Sequence, residues 1–161
     1  MEARRFETAE QGLGGQGVQE MKTVDTRFGP TQYDPQQTIV FIEGMVGFEH
    51  LRHFVRVPME EDDYLVCLQS VEDGAVAFLL VDPLRYFPAY TCPLSQEHKA
   101  RLQKGSEEDL IVLTTITVHP GQSITLNLAA PVILAPSSNL AMQVVLEDGV
   151  YSPREPLPQD S

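Results

Sequence analysis

Turn-forming residues punctuate this chain at intervals of about 8 to 12 residues, and that spacing limits its fold more than any other feature. Gly29-Pro30, Asp34-Pro35, Glu43-Gly44, Pro58, Asp73-Gly74 and Pro120-Gly121 each end a short run of β-branched or apolar residues. The runs are 22–26 (KTVDT), 38–42 (TIVFI), 50–57, 64–71 (YLVCLQSV), 75–81 (AVAFLLV), 109–119 (DLIVLTTITVH), 123–128, 131–134 and 140–146. They are too short for ordinary helices and read as strands. Residues 31–33 are expected to pair back on 22–26, and 64–71 with 75–81 to form a hairpin around Glu72-Asp73-Gly74. If 50–57 is extended, Leu51, His53, Val55 and Val57 share one face. In 109–119 the alternation puts Ile116 and Val118 inward and Thr115 and Thr117 outward.

Prolines at 83, 88 and 93 leave no room for a long element over 82–93, which reads as an irregular crossing. One helix is expected at about 95–104. Ser95 is its N-cap, Glu97 and His98 lie in its first turn, Leu94 and Leu102 make its apolar contacts, and Gly105 stops it. The expected fold is all-β with minor α: an antiparallel β-barrel or half-open sandwich of about ten short strands with one short surface helix. Residues 1–20 read as a disordered extension, with Met21 a candidate start of translation. Residues 21–157 form the domain, and 158–161 a frayed tail.

The formal net charge of −12 disfavours direct nucleic-acid binding and anionic membrane surfaces. It suits either a basic protein partner or plain solubility. No apolar run approaches a membrane span, no secretory signal opens the chain, and the two cysteines, Cys67 and Cys92, show no paired spacing. These features predict a cytoplasmic protein with reduced thiols.

Templates for chemistry find no match. The four histidines lack metal-ligand spacing, no Gly-x-Ser-x-Gly elbow surrounds Ser70, and the carboxylate pairs all fall at turns. The glycines of 12–17 have no strand before them and no helix after them, so they make no phosphate cradle. No catalytic residue, metal or cofactor is therefore expected. Two segments stand out instead. Gly44 and Gly47 bracket Met45 and Val46 and are followed by Phe48, so this loop either plugs the barrel mouth or meets a partner. The crossing carries Tyr86, Phe87 and Tyr90, residue types enriched at interfaces.

Five segments in order resemble the FliW family of flagellar assembly factors: MKTVDTRFG, FIEGMVGFEHLRHF, LQSVEDGAVAFLLVDP, TITVHP with NLAAPVILAP, and QVVLEDGVYSPREPL, together spanning 21–157. Two departures are visible: Ile42-Glu43 stands where the family usually has proline before the glycine, and Gly74 stands where it usually has proline after aspartate. The resemblance implies a barrel-like all-β domain and a partner switch rather than a reaction. FliW-like proteins bind the translational regulator CsrA, relieving its repression of flagellin mRNA, and they also bind flagellin, whose synthesis then frees CsrA. Glu43, Phe48 and Glu49 on the glycine loop, with Tyr86 and Phe87 on the crossing, are the candidate partner contacts; for Phe48 and Phe87 a core role is the alternative. Two other readings remain at this point: a flagellin chaperone without CsrA activity, and a small-molecule-binding β-barrel.

Overall fold

The structure, a computed structural model, describes residues 21–57, 59, 64–102, 110–121, 123–147 and 149–158. The expectations for 1–20, Pro58, the acidic run 60–63, Lys104, Gly105, Asp109 and 159–161 lie outside the described residues.

The chain opens with a separate ribbon, β1 (Lys22–Thr26) against β2 (Gly29–Tyr33). Its turn is set locally. Gly29 sits at φ +105°, and the Thr26 hydroxyl donates to Gly29 O at 2.8 Å while accepting from Phe28 N at 3.0 Å. The remaining strands are β3 (Ile39–Phe41), β4 (His53–Val57), β5 (Leu65–Ser70), β6 (Ala77–Val81), β7 (Ile111–Val118), β8 (Ile124–Leu126), β9 (Val132–Ala135), β10 (Leu140–Gln143) and β11 (Glu155–Pro156). From β3 to β7 each strand pairs antiparallel with the next. β7 also pairs with β9, β9 with β10, and β10 with β3, which closes a ring of seven strands. β8 and β11 continue outward from β7.

The closing pair β10–β3 is parallel, unlike the antiparallel pattern expected throughout. Its partners lie about a hundred residues apart, and periodicity within a run carries no information on the direction of a distant neighbour.

The barrel interior is packed with apolar side chains. Phe41, Phe54, Leu68, Leu80 and Val132 are buried there, with the Phe41 and Phe54 rings edge to face at 5.1 Å. β9 is buried on both faces, which accounts for its unbroken apolar run. Val132 and Leu134 join the interior, while Ile133 and Ala135 join a second cluster with Leu102, Met142 and Val144. That second cluster seats the helix α1 (Gln96–Arg101). No residue of α1 is itself buried; its flanks Leu94 and Leu102 supply the contact. Ser95 caps it as expected: its hydroxyl accepts from His98 N at 3.0 Å, and His98 Nδ1 accepts from Ser95 N at 3.3 Å.

A third cluster, Val81, Tyr90, Leu126 and Leu128, lies under the proline-rich crossing. Tyr90 fastens the crossing down by donating to Leu128 O at 2.8 Å. Burial, with smaller contributions from Cys92 and Tyr151, holds the Tyr90 phenol far above its usual pKa; burial also pushes the Cys92 thiol up to about 11.

One face assignment needs correction. Val118 is 63% exposed and Ile116 only half-buried, whereas Thr114 is fully buried. The β6–β7 ladder stops at Leu80↔Thr115, so the far end of β7 runs beyond the closed barrel and its alternation no longer reports on the interior. In β4 both faces carry a buried residue, Phe54 on one and Val55 on the other.

Candidate functional site

The segment from Glu43 to Glu49 joins β3 to β4 and folds back on itself. Gly44 at φ +80° and Gly47 at φ +88° permit the reversal, and Phe48 N donates to Met45 O at 2.7 Å across it. The fold separates the loop's apolar residues into two roles. Met45 is 3% exposed within the interior cluster, and the Phe48 ring packs edge-on against Phe78 at 5.3 Å, so these two plug the barrel end. Val46 points the other way and is 62% exposed.

Three polar contacts hold the loop in place. Val46 N donates to Gln143 Oε1 at 2.7 Å, and Gln143 Nε2 donates in turn to Ala130 O at 3.0 Å, which clips the loop to β10. The Glu49 carboxylate accepts from Gly47 N at 3.1 Å; that bond, together with the Glu49 backbone, holds its pKa below the usual carboxylate range. Glu43 pairs with Arg101 of α1 at 2.6 Å, in a setting exposed enough that the pair contributes at most about 1 kcal/mol. Beneath the loop the Arg52 guanidinium donates to the carbonyls of Phe41 and Ile42. Gln143→Ala removes the clip while leaving the barrel intact. The expected result is a loss of about 1 kcal/mol in urea unfolding, with faster amide exchange confined to 44–48.

The crossing is built differently. Asp82 Oδ1 accepts from Leu84 N at 2.9 Å and starts a single 3₁₀ turn over Pro83–Arg85. Phe87 N closes the turn on Pro83 O at 2.8 Å. Tyr86 and Phe87 are half-buried against the third cluster. The five candidate contacts therefore fall in two groups. Glu43, Phe48 and Glu49 lie together on the loop over the first cluster, and Tyr86 and Phe87 lie over the third. Glu43 and Glu49 are exposed, while the three aromatic rings are partly covered.

Sequence reasoning missed a cleft of about 600 Å³ that has the glycine loop as one wall. Its other walls are the β1–β2 turn and the facing stretches of β6 and β7, with Phe28, Val46 and Val118 at its rim and Met45, Cys67 and Phe78 deeper. One signal was available: Phe28 is a large apolar residue in a two-residue hairpin turn, where small polar residues are usual.

Ser70 and Glu72 serve chiefly to hold nearby backbone amides. Ser70 is fully buried, and its hydroxyl accepts from Glu72 N and Asp73 N, both at 3.0 Å. Glu72 accepts from Arg52 N, from His53 N and from the His53 ring. Desolvation opposes its ionisation, but these bonds outweigh it and hold its pKa low. His119 Nε2 lies 2.9 Å from the Thr125 hydroxyl. Among the described residues no three His, Cys, Asp or Glu side chains converge as a metal site, and no helix is long and apolar enough to cross a membrane.

The model of the FliW protein family matches residues 22–157. The flagellar assembly factor FliW of Syntrophotalea carbinolica is 43% identical over 137 residues, which is 85% of this chain and 98% of that one. Flagellar assembly factor FliW 2 of Desulfotalea psychrophila is 41% identical over 138 residues, 86% of this chain and 91% of its own. A crystal structure of the flagellar assembly factor FliW superposes with a TM-score of 0.77 at 28% identity, covering 87% of this chain and all of the other. The family model, the two relatives and the superposed structure all cover the same folded span, and the chain belongs to the FliW family of flagellar assembly factors.

Proposed function

We propose that this protein works in the cytoplasm as a binding antagonist of CsrA. It relieves CsrA's repression of flagellin mRNA translation, binds flagellin itself, and so couples flagellin level to flagellum assembly. The observation that carries this reading is the family match across 22–157, which takes in nearly the whole folded domain. The physical chemistry agrees with it. A chain of net charge −12 attracts a basic RNA-binding protein and opposes the charge of the RNA that protein holds. The exposed carboxylates of Glu43 and Glu49, on a loop fixed to the barrel, are the proposed acidic contacts, with Phe48, Tyr86 and Phe87 as apolar support. An antagonist acting away from the RNA site must by linkage prefer RNA-free CsrA.

The test is a pulldown with CsrA and with flagellin, followed by an RNA gel shift. The expected result is capture of both partners, release of RNA from CsrA on addition of this protein, and reversal of that release by flagellin. CsrA that stays on its RNA at saturating amounts of this protein would sink the regulatory half. Retained flagellin binding would then leave a chaperone.

A further inference from the structure

We propose that the cleft between β6 and β7 receives an extended segment of a partner protein as an added strand, apolar at alternate positions and flanked by lysine or arginine. This deepens the partner-binding reading above and rests on it.

The first observation is an interrupted ladder. β6 pairs with β5 along its whole length, from Leu65↔Val81 to Gln69↔Ala77. β7 pairs with β8 through its last three residues, Ile116↔Leu126 to Val118↔Ile124. Between β6 and β7 themselves only Leu80↔Thr115 and Val81↔Thr114 are joined. Among the described residues, 77–79 and 116–118 thus have their outer edges satisfied and their facing edges unpaired. Two open edges lining one cleft offer main-chain donors and acceptors to a strand laid between them.

The second observation is where the exposed apolar surface falls. Phe28 is 89% exposed, Val118 63% and Val46 62%, and all three line this cleft although they come from three separate elements. Single exposed apolar side chains are ordinary; three gathered on one concavity with open strand edges are a recognition surface. At about 600 Å³ the concavity is of a size that encloses ligands.

Charge selects the occupant. Arg27 is the one charged side chain lining the cleft among the described residues, while exposed Asp25 and Glu49 stand on the ribbon and loop that wall it. With −12 on the whole chain, a second copy repels the first, and a segment with basic flanks is drawn in.

The probe is a synthetic peptide of three valines alternating with threonines between terminal lysines, titrated into the full chain and followed by amide NMR. Shifts and slowed exchange are expected at 77–79 and 116–118. Binding is expected to weaken about fivefold or more when glutamates replace the lysines, when alternate peptide amides are N-methylated, or in Val118→Lys. A peptide that leaves those amides unmoved, or glutamate and methylated peptides that bind as well, overturns the proposal. Pulldowns with Phe28→Asp and Val118→Lys separate this from the functional reading. Equal capture of CsrA and flagellin by parent and variants overturns the cleft and leaves the antagonist standing. Loss of either partner in the variants supports the cleft. A parent that captures neither protein removes the antagonist, and the peptide titration still decides the cleft.

Discussion

Gly74→Ala is expected to destabilise the protein by about 3 to 4 kcal/mol, although nothing about the backbone at Gly74 demands glycine. Gly74 is not among the residues with positive φ, so alanine fits its local conformation. The obstacle is a neighbour: a Cβ there would lie 1.6 Å from the carbonyl oxygen of Asp25 and 2.7 Å from its carbon. One side must move, and the β5–β6 turn is poorly placed to do so. Ser70 Oγ accepts from Glu72 N and Asp73 N, Asp73 Oδ1 accepts from Ala75 N at 3.0 Å, and Gln69 Nε2 donates to Gly74 O at 3.1 Å. The β1–β2 ribbon is held less firmly, since it shares no strand pairing with the barrel and Val24 is its one buried apolar side chain. The ribbon should therefore lift off, which costs the burial of Val24 and the contacts around it. Urea unfolding would give the loss, and amide exchange would locate it: residues 22–33 lose protection while 65–70 keep theirs. A variant within about 1 kcal/mol of the parent, with unchanged exchange in the ribbon, would refute the close approach.

Much of this architecture was legible because it is local. The hairpin β5–β6, the cap at Ser95 and the stop at Asp34-Pro35 each depend on residues within a few positions of one another, and the run lengths carried the all-β class. What depends on distant partners was hidden. The parallel β3–β10 seam, the two-residue β11 and the exposure of Val118 follow from which strands meet and where a ladder ends, and no run encodes that alone. Alternation within 50–57 does not single out a core face, because both faces of β4 hold a buried residue. The glycine loop was visible as a chemical oddity, and the structure gives its residues different places: Met45 and Phe48 plug the barrel while Val46 faces out. The cleft beside it joins β1–β2, β6, β7 and the loop, so it existed in no single stretch of sequence. Gly74 is instructive in another way. Its φ gives no reason for glycine, yet only glycine admits the Asp25 carbonyl at this distance.

Gly44→Ala tests whether the glycine loop is a rigid platform, and it should cost about 3 kcal/mol through two separable effects. The first is conformational. At φ +80° an alanine is strained by about 1 kcal/mol relative to glycine. The second is steric, because its Cβ would meet Glu49 Cα at 2.6 Å and Glu49 O at 2.9 Å. Both are backbone atoms at the far end of the same loop, so relief requires the loop to open. Opening withdraws Met45 from the interior, parts Phe48 from Phe78, and breaks the Val46–Gln143 clip. Gly47→Ala supplies the control. Its φ of +88° carries the same conformational strain, but nothing lies within 4 Å of the added Cβ, so it should cost only about 1 kcal/mol. The pair also separates stability from recognition. Gly44→Ala displaces Met45 and Val46 from the cleft wall and Glu49 beside it, so on the proposed function capture of CsrA or flagellin should fall even at temperatures where the variant remains folded. Gly47→Ala should keep most of that capture. Equal losses of stability in the two variants would show that the approach of Gly44 to Glu49 is not what sets the loop. Full partner capture by folded Gly44→Ala would remove the loop from the binding surface.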